Sequence, residues 1–426
     1  MLISDFDYEL PEELIAQAPL AERDASRMLV LDRARRLWRD SSFTELPSEL
    51  REGDHLVVNN TRVFPARLVG RREPTGGQVE LFLIEERETR VWEALARPAR
   101  RLARGQQISF GDGRLRAEII GAGDEGRRTV RFDCADDFDA LLEEFGRVPL
   151  PPYIKRAPET AATTATNMTA VKVATDATAT TDATDATGAN SATNEAVVNG
   201  ATVEADATGA TDEAVVNGAT DDVALNGATD DAALNGARAV RFAEDRERYQ
   251  TIYAERRGAI AAPTAGLHFT PRVLERLRAR GVSVTEITLH VGYGTFAPVR
   301  AHDLREHAVA AERYEITPEA AAALEEARSR KERIIAVGTT TVRALESAAA
   351  DSRRLTPGAR STSLTIAPGY KFKIVDALVT NFHLPRSSLL VLIAAFAGRE
   401  LTLDAYAHAV AARYRFYSYG DCMFIF

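Results

Sequence analysis

Residues 157–237 set the first limit on what this chain can fold into. They are built almost wholly from Ala, Thr, Asp, Asn and Gly, and no aromatic residue falls between Tyr153 and Phe242. Three nine-residue repeats close the stretch: DEAVVNGAT (212–220), DDVALNGAT (221–229) and DDAALNGAR (230–238). A short-period solenoid is conceivable, but a handful of Val and Leu side chains cannot bury enough surface to offset the entropy of ordering. The expectation is a disordered tether. About eighty residues of this kind have an r.m.s. span of roughly 50 Å. Closing such a loop costs only about 2 kcal/mol more than closing one of eight residues, so a stable protein can carry it. The globular structure must come from what flanks it.

The segment also distorts the charge. The whole chain is −9, yet residues 157–237 hold thirteen acids and one base, Lys172. The remainder is therefore mildly basic, at +3. With 426 residues, 45% of them hydrophobic, the chain can form two or three domains with a sizeable core. No apolar run reaches the ~18 residues that span a bilayer. The acidic opening MLISDFDYELPEEL does not read as a signal peptide. Cys134 and Cys422 form neither a disulfide framework nor a zinc pattern. A cytoplasmic protein with no membrane partner is expected.

Before the insertion the pattern is mostly β. DHLVVNN, QVELFLIEE, VWEALAR, QQISFGDG, LRAEIIGAG and RRTVRFD follow at close spacing with Gly-rich turns, suggesting an antiparallel barrel or sandwich. After it, strands alternate with helices. TPRVLERLRARG has Thr270 as N-cap, Pro271 in the first turn and Gly281 as stop. VSVTEITLHV, RIIAVG and IVDALVTNFHL read as strands; TPEAAAALEEARSRK, TTTVRALESAAA and SSLLVLIAAFAG read as helices. The fold class expected is an α/β domain with a largely parallel sheet, interrupted by an antiparallel β-barrel domain. Its pieces are 1–60 and 238–426 for the α/β part, 61–150 for the barrel and 157–237 for the insertion.

Two of seven histidines stand in Gly- and Thr-rich turns: His268 in AAPTAGLHFTP and His290 in TLHVGYGTF. Either can be general base, hydrogen-bond donor, metal ligand or a satisfied core residue. With His383 in TNFHLP they allow a three-histidine metal site, although no local ligand spacing supports one. AVGTTTVRALES is a strand, a glycine turn and a helix headed by three threonines, whose free N–H groups suit a carboxylate or phosphate. It is neither a Walker A loop nor GxGxxG. Arginines and lysines interleave with aromatics in ARYRFYSYGDCMF, GYKFKIVDA and NNTRVFPARLVGRR, which leans toward nucleic acid.

At these residues the chain resembles a family, the S-adenosylmethionine:tRNA ribosyltransferase-isomerases of queuosine biosynthesis. The resemblance is carried by DFDYELPEELIAQAP, RDASRMLVLDR, GDHLVVNNTRVFPARL, TGGQVELFL, VPLPPYIKR, RYQTIYAERRGAIAAPTAGLHFT, TLHVGYGTFAPVR, AVGTTTVRALES, PGYKFKIVDALVTNFHLP and YRFYSYGDCM. These ten blocks are colinear across nearly the whole chain outside the insertion. The resemblance implies transfer of the ribosyl part of S-adenosylmethionine to a 7-aminomethyl-7-deazaguanine at the wobble position of tRNA. The ribose isomerises to an epoxycyclopentanediol, giving epoxyqueuosine, and adenine and methionine leave. No metal or other cofactor is implied, because S-adenosylmethionine is a substrate; tRNA is the partner and a monomer is expected.

On this reading His268 and His290 share the acid–base work, since a sulfonium acidifies the adjacent C5′–H and a base of moderate strength removes it. The substrate-binding candidates are Thr264, Gly266, Gly292, Gly294, Thr295, Gly338, Thr339, Thr340, Thr341, Arg343, Asn381 and His383. Thr339 to Thr341 would hold the methionine carboxylate. Arg62, Arg67, Lys371, Lys373, Arg415 and Tyr417 would position the tRNA. The acidic insertion is expected to point away from it. Two departures stand out. Where the family reads His-x-Met-His-x-Glu, this chain has HAVAAE (His307 to Glu312), with Val309 and Ala310 in place of Met and the second His; SLTIA (363–367) lacks the usual aromatics. Two other classes stay open: a non-catalytic tRNA- or nucleotide-binding relative, and a metal-dependent hydrolase using His268, His290 and His383.

Overall fold

The computed structural model describes residues 1–156, 242–292, 294, 299, 301–350 and 354–426. The tether expected at 157–237 and the candidate Thr295 lie outside these residues.

The strands are, in order, β1 (Arg27–Asp32), β2 (Leu37–Ser42), β3 (His55–Asn59), β4 (Thr61–Val63), β5 (Arg67–Arg72), β6 (Gln78–Glu88), β7 (Val91–Arg97), β8 (Gln107–Phe110), β9 (Leu115–Ala122) and β10 (Arg127–Cys134). β11 (Arg256–Ala259), β12 (Ser283–Leu289), β13 (Glu312–Ile316), β14 (Ile334–Val337), β15 (Gly358–Thr362), β16 (Ala377–Asn381) and β17 (Cys422–Ile425) follow. Nine of them form one sheet in the order β15-β13-β12-β3-β14-β16-β17-β1-β2. Its centre, β12-β3-β14-β16, is parallel. Antiparallel pairs flank that centre on both sides.

The central strands are apolar without a break, as strands covered on both faces must be. Successive side chains divide between two cores. Val57, Ile334, Ala336 and Leu378 belong to one; Leu56, Val58, Ile335, Val337 and Val379 belong to the other. Helices cover the faces: α1 (Leu46–Glu49), α2 (Phe138–Phe145) against the barrel, α3 (Pro271–Ala279), α4 (Pro318–Ser329), α5 (Thr339–Ala348), α6 (Ser388–Ala397) and α7 (Arg399–Ala411). Their starts follow capping chemistry. Thr270, Thr317 and Ser387 each accept a backbone N–H of the first turn.

DHLVVNN (54–60), grouped with the barrel strands by its rhythm although inside the 1–60 bounds of the α/β part, is β3 of the main sheet, seated between β12 and β14. A continuous apolar run fits a buried parallel strand better than a barrel strand, which alternates. The sixth barrel strand is β5, whose burial does alternate. The barrel closes in the order β10-β7-β6-β5-β8-β9, and Val79, Leu81, Leu83, Ala94, Ala96 and Ile119 fill its interior. Asn59 manages the exit from the sheet. Its Nδ2 donates to Leu289 O at 2.9 Å, and its Oδ1 accepts from Leu289 N at 2.9 Å and Thr61 N at 3.1 Å. The amide thus continues the ladder where the backbone turns away.

The chain on either side of residues 157–241 is clasped. Arg156 makes a two-pronged ion pair with buried Asp245, at 2.9 and 2.7 Å, and Tyr419 donates to the same carboxylate at 3.3 Å.

Candidate active site

β3, β14 and β16 are parallel, so their C-terminal ends share one edge, where open α/β sheets place ligand crevices. A cleft with about 480 Å3 of open space lies there. Gly338, Thr339 and Thr340 supply the wall at the start of α5; Thr380, Asn381, Phe382 and His383 supply the wall that follows β16. Thr264 and Ala265, Tyr153, and the turn Tyr417–Ser418 complete it.

Each wall has a local cause. Gly338 sits at φ 86°, a left-handed conformation costly for other residues, and its N–H donates to Val379 O at 2.8 Å. The strand therefore turns sharply into α5, and the first N–H groups of that helix open on the cleft. Tyr417 has φ 74° although it is not glycine. Such strain persists only where the surroundings impose it, and it gathers at functional sites. Here Tyr417 N donates to Phe382 O at 3.1 Å, and its carbonyl accepts from Gly420 N at 2.9 Å and from Asn381 Nδ2 at 3.1 Å.

Asn381 is the hub. Its Oδ1 accepts from Thr264 Oγ1 at 3.2 Å, and its Nδ2 lies 3.2 Å from His268 Nε2. An amide nitrogen only donates, so Nε2 accepts and the proton sits on Nδ1, which donates to Ser26 Oγ at 2.7 Å. Burial, with Arg415 and Arg23 nearby, pushes the His268 pKa down to about 3. His268 is thus a neutral imidazole with both nitrogens engaged. It lines a second, smaller pocket together with Arg23, Ser26 and Ser418.

His290 is elsewhere. Its Nδ1 meets Thr61 Oγ1 at 2.8 Å, and it packs against Gly258 of β11. Its pKa is lowered by burial and by Arg313. It lines neither cavity. His268 and His290, expected to share acid–base work, are not brought into one cleft: they occupy separate environments, and both ring nitrogens of His268 are engaged. His383 does line the cleft, with Nε2 3.0 Å from Thr380 Oγ1 and a pKa pushed by burial to about 3. Nor do the three histidines meet as ligands. Among the described residues no three His, Cys, Asp or Glu side chains could hold a metal ion.

The remaining candidates divide. Thr264, Gly338, Thr339, Thr340, Asn381 and His383 face the cleft. Thr341 does not: its hydroxyl donates to Val337 O at 2.6 Å. Arg343 is buried against Glu312, whose Oε1 accepts from Gly292 N at 3.0 Å. Burial lowers the Arg343 pKa to about 10. Gly266 is a packing glycine, since a Cβ there would stand 2.2 Å from Tyr253 OH. Gly294 lies against Ala310, and Ala310 is exposed and outside the cleft walls. Of the RNA candidates, Arg62 and Lys371 are exposed. Arg67 pairs with Glu80 at 2.7 Å. Lys373 bonds the carbonyls of Ala349 and Ala350 after α5, and Arg415 bonds Ala18 O. Tyr417 is a wall of the cleft, not a surface residue.

Sequence reasoning missed Tyr153 and Ser418, which bond each other at 2.5 Å. Tyr153 stands in PPYIKR at the edge of the acidic segment, and its ring centroid is 3.8 Å from that of Tyr417. An isolated aromatic beside a composition break is a signal that could have found it.

The two deeply buried histidines carry a stability consequence. Both are neutral when folded, with pKa near 3, and protonate near 6.5 when unfolded. Their contribution is complete above pH 6.5 and is lost as pH falls from there toward 3. From pH 7 to pH 5 each should cost roughly 2 kcal/mol. Urea unfolding at the two pH values measures the drop, which should be smaller by about one histidine's share in His268→Gln. An unchanged pH dependence in that variant would contradict the burial.

A model of the queuosine biosynthesis protein family matches residues 3–199 and 223–425. An S-adenosylmethionine:tRNA ribosyltransferase-isomerase of Pelotomaculum thermopropionicum is 41% identical over 425 residues, covering 100% of both chains. One of Symbiobacterium thermophilum is likewise 41% identical over the full length of both. The solved structure of an S-adenosylmethionine tRNA ribosyltransferase from Thermotoga maritima is 31% identical, with a TM-score of 0.46, covering 99% of this chain and 100% of that one.

Proposed function

The chain belongs to the queuosine biosynthesis protein family, and from that premise we propose that it is an S-adenosylmethionine:tRNA ribosyltransferase-isomerase whose cleft behind Gly338 receives the sulfonium nucleoside. The ribosyl group passes to the aminomethyl nitrogen of a 7-deazaguanine at the tRNA wobble position and is isomerised to the epoxycyclopentanediol; adenine and methionine leave. The observation that carries this reading is the pairing, across one cleft, of the α5 N-terminus with the Asn381 hub.

The residue roles follow from that geometry. The N–H groups at Thr339 and Thr340, with the partial positive charge of the helix end, suit the methionine carboxylate. The rings of Tyr153 and Tyr417 offer a face to a planar base. His383, neutral at pH 7, is the imidazole placed in the cleft wall, where it offers the nucleoside a hydrogen-bonding group. His268 positions Asn381 and takes no proton. S-adenosylmethionine is consumed as a substrate and no cofactor is required. The exposure of Ala310 outside the cleft walls supports an active enzyme despite the missing family histidine.

The test is direct. Incubated with S-adenosylmethionine and precursor-bearing tRNA, the protein should release adenine in proportion to modified tRNA, with chelator making no difference. No adenine from folded protein would sink the reading, and inhibition by chelator would favour a metal-dependent hydrolase.

A further inference from the structure

The barrel is closed and antiparallel throughout. The ends of β5, β7 and β9 and the starts of β6, β8 and β10 must therefore share one rim. That rim carries Arg71, Arg72, Arg97, Arg100, Arg101 and Arg104, and Arg127 and Arg128 begin β10 beside them. The rim loops carry three carboxylates, Glu73, Asp124 and Glu125, and Arg127 is already paired with Glu93 of β7. Arg97, Arg100, Arg101 and Arg104 are exposed and have no ion-pair partner among the described residues. The loop that presents them is pinned: Arg128 Nε donates to Leu102 O at 2.8 Å, Arg72 Nη1 to Arg101 O at 3.4 Å, and Gly105 N to Ile119 O at 2.7 Å.

The opposite rim differs. It mixes Arg87, Arg90, Arg114 and Arg116 with Glu86, Glu88, Asp112, Asp133, Asp136 and Asp137, and Arg87 and Arg114 are taken up in ion pairs with Glu85, Glu93, Asp136 and Glu144. It is also the end joined to the rest of the protein, through the bridge of Arg67 to Arg147 and the ion pairs of Asp139 with Arg257 and Glu143 with Arg246. The arginine rim thus stands one strand length beyond the joined end, roughly 15–20 Å. A small nucleoside in the cleft cannot use it, but an extended polyanion can.

We propose that the arginine rim of the barrel is a docking surface for the phosphate backbone of tRNA outside the anticodon loop. This rests on the tRNA-modifying function proposed for the cleft. Arginine suits it, because its planar fork meets phosphate oxygens in pairs and is weakly hydrated. The contact is sequence-independent, so it would hold the tRNA body while the cleft selects the base.

The experiment compares wild type with Arg100→Ala/Arg101→Ala/Arg104→Ala, measuring dissociation constants across a salt series for full-length tRNA and for the isolated anticodon stem-loop. Full-length binding should weaken about tenfold or more, with the slope of log Kd against log salt falling by about 2, at roughly 0.7–0.9 for each phosphate no longer neutralised. Stem-loop binding and adenine release on the stem-loop should match wild type. A second variant, Asp124→Lys, adds charge to the same rim at an exposed turn and should tighten full-length binding several-fold; it decides the matter if the triple variant fails to fold. Wild-type affinity and slope in the arginine variant overturn the proposal, as does equal loss on both RNAs. Competition by poly-glutamate as strong as by tRNA at equal charge would assign the rim to an acidic protein and also overturn it. Should wild type release no adenine, the functional reading fails separately, and the binding series still judges the rim.

Discussion

Asn381→Asp is expected to lower kcat for adenine release by about 100- to 1000-fold while the protein stays folded. The substitution keeps the shape and removes the two N–H groups that the site uses. Oδ1 still accepts from Thr264 Oγ1, but the second oxygen now faces Tyr417 O and His268 Nε2, formerly 3.1 and 3.2 Å from the amide nitrogen. Two acceptors meeting acceptors in a buried place cost about 1–3 kcal/mol each. Relief comes by switching His268 to the tautomer that donates from Nε2, with Ser26 turned to donate to Nδ1, or by swinging the side chain out of the wall, which alone parts it from Tyr417 O. Either moves the groups around the reacting centre, and about 3–4 kcal/mol lost there is a factor of a few hundred in rate. Partial recovery at lower pH, where the introduced carboxyl group regains a donor, would separate this mechanism from general damage. Turnover within threefold of wild type would show that Asn381 is not the organiser of the cleft.

Arg343→Met is expected to destabilise the protein by about 3–5 kcal/mol, the usual cost of stranding one member of a buried ion pair. Arg343 and Glu312 have side chains 5% and 2% exposed, so water cannot replace the missing guanidinium. Glu312 also holds the backbone N–H of Gly292, two residues beyond His290, so the damage reaches the loop that continues β12 into the cleft wall at Val291. Adding Glu312→Gln should restore most of the stability, because the amide oxygen can still accept from Gly292 without a buried charge. Urea midpoints of the two single variants and the double variant give the coupling. A change below about 1 kcal/mol in Arg343→Met would mean that the pair is not buried as described.

Elements whose sequence carries its own punctuation were legible. Thr270, Thr317 and Ser387 mark helix starts within a few residues, because the capping hydroxyl and the first turn are neighbours in the chain. Gly338 and the threonines after it were readable for the same reason. β3 was not, because HLVVN reads alike as a barrel strand or a covered parallel strand; its place is decided by β12 and β14, more than 220 residues away. The roles of the histidines were illegible on the same ground. The tautomer of His268 depends on Ser26 and Asn381, and its low pKa on burial beside Arg23 and Arg415. TTTVRALES presents five polar side chains from Thr339 to Glu346 that look alike in sequence. Helical geometry sends Thr339 and Thr340 to the cleft and turns Thr341, Arg343 and Glu346 inward. Glu346 there accepts the N–H groups of Lys373, Ile374 and Val375. Arg71 and Arg72 belong to a stretch whose sequence leans toward nucleic acid, but only barrel closure sets them beside the arginines at 97–104 and 127–128.

The clasp of Arg156 on Asp245 joins the two ends of the described fold that flank residues 157–241. Both stems are anchored by a two-pronged bond whose geometry is indifferent to what hangs between them. Sequence at that point can grow, repeat and drift toward acidity without any strand changing register. The same port would accept a reporter domain or a purification handle in place of the native segment.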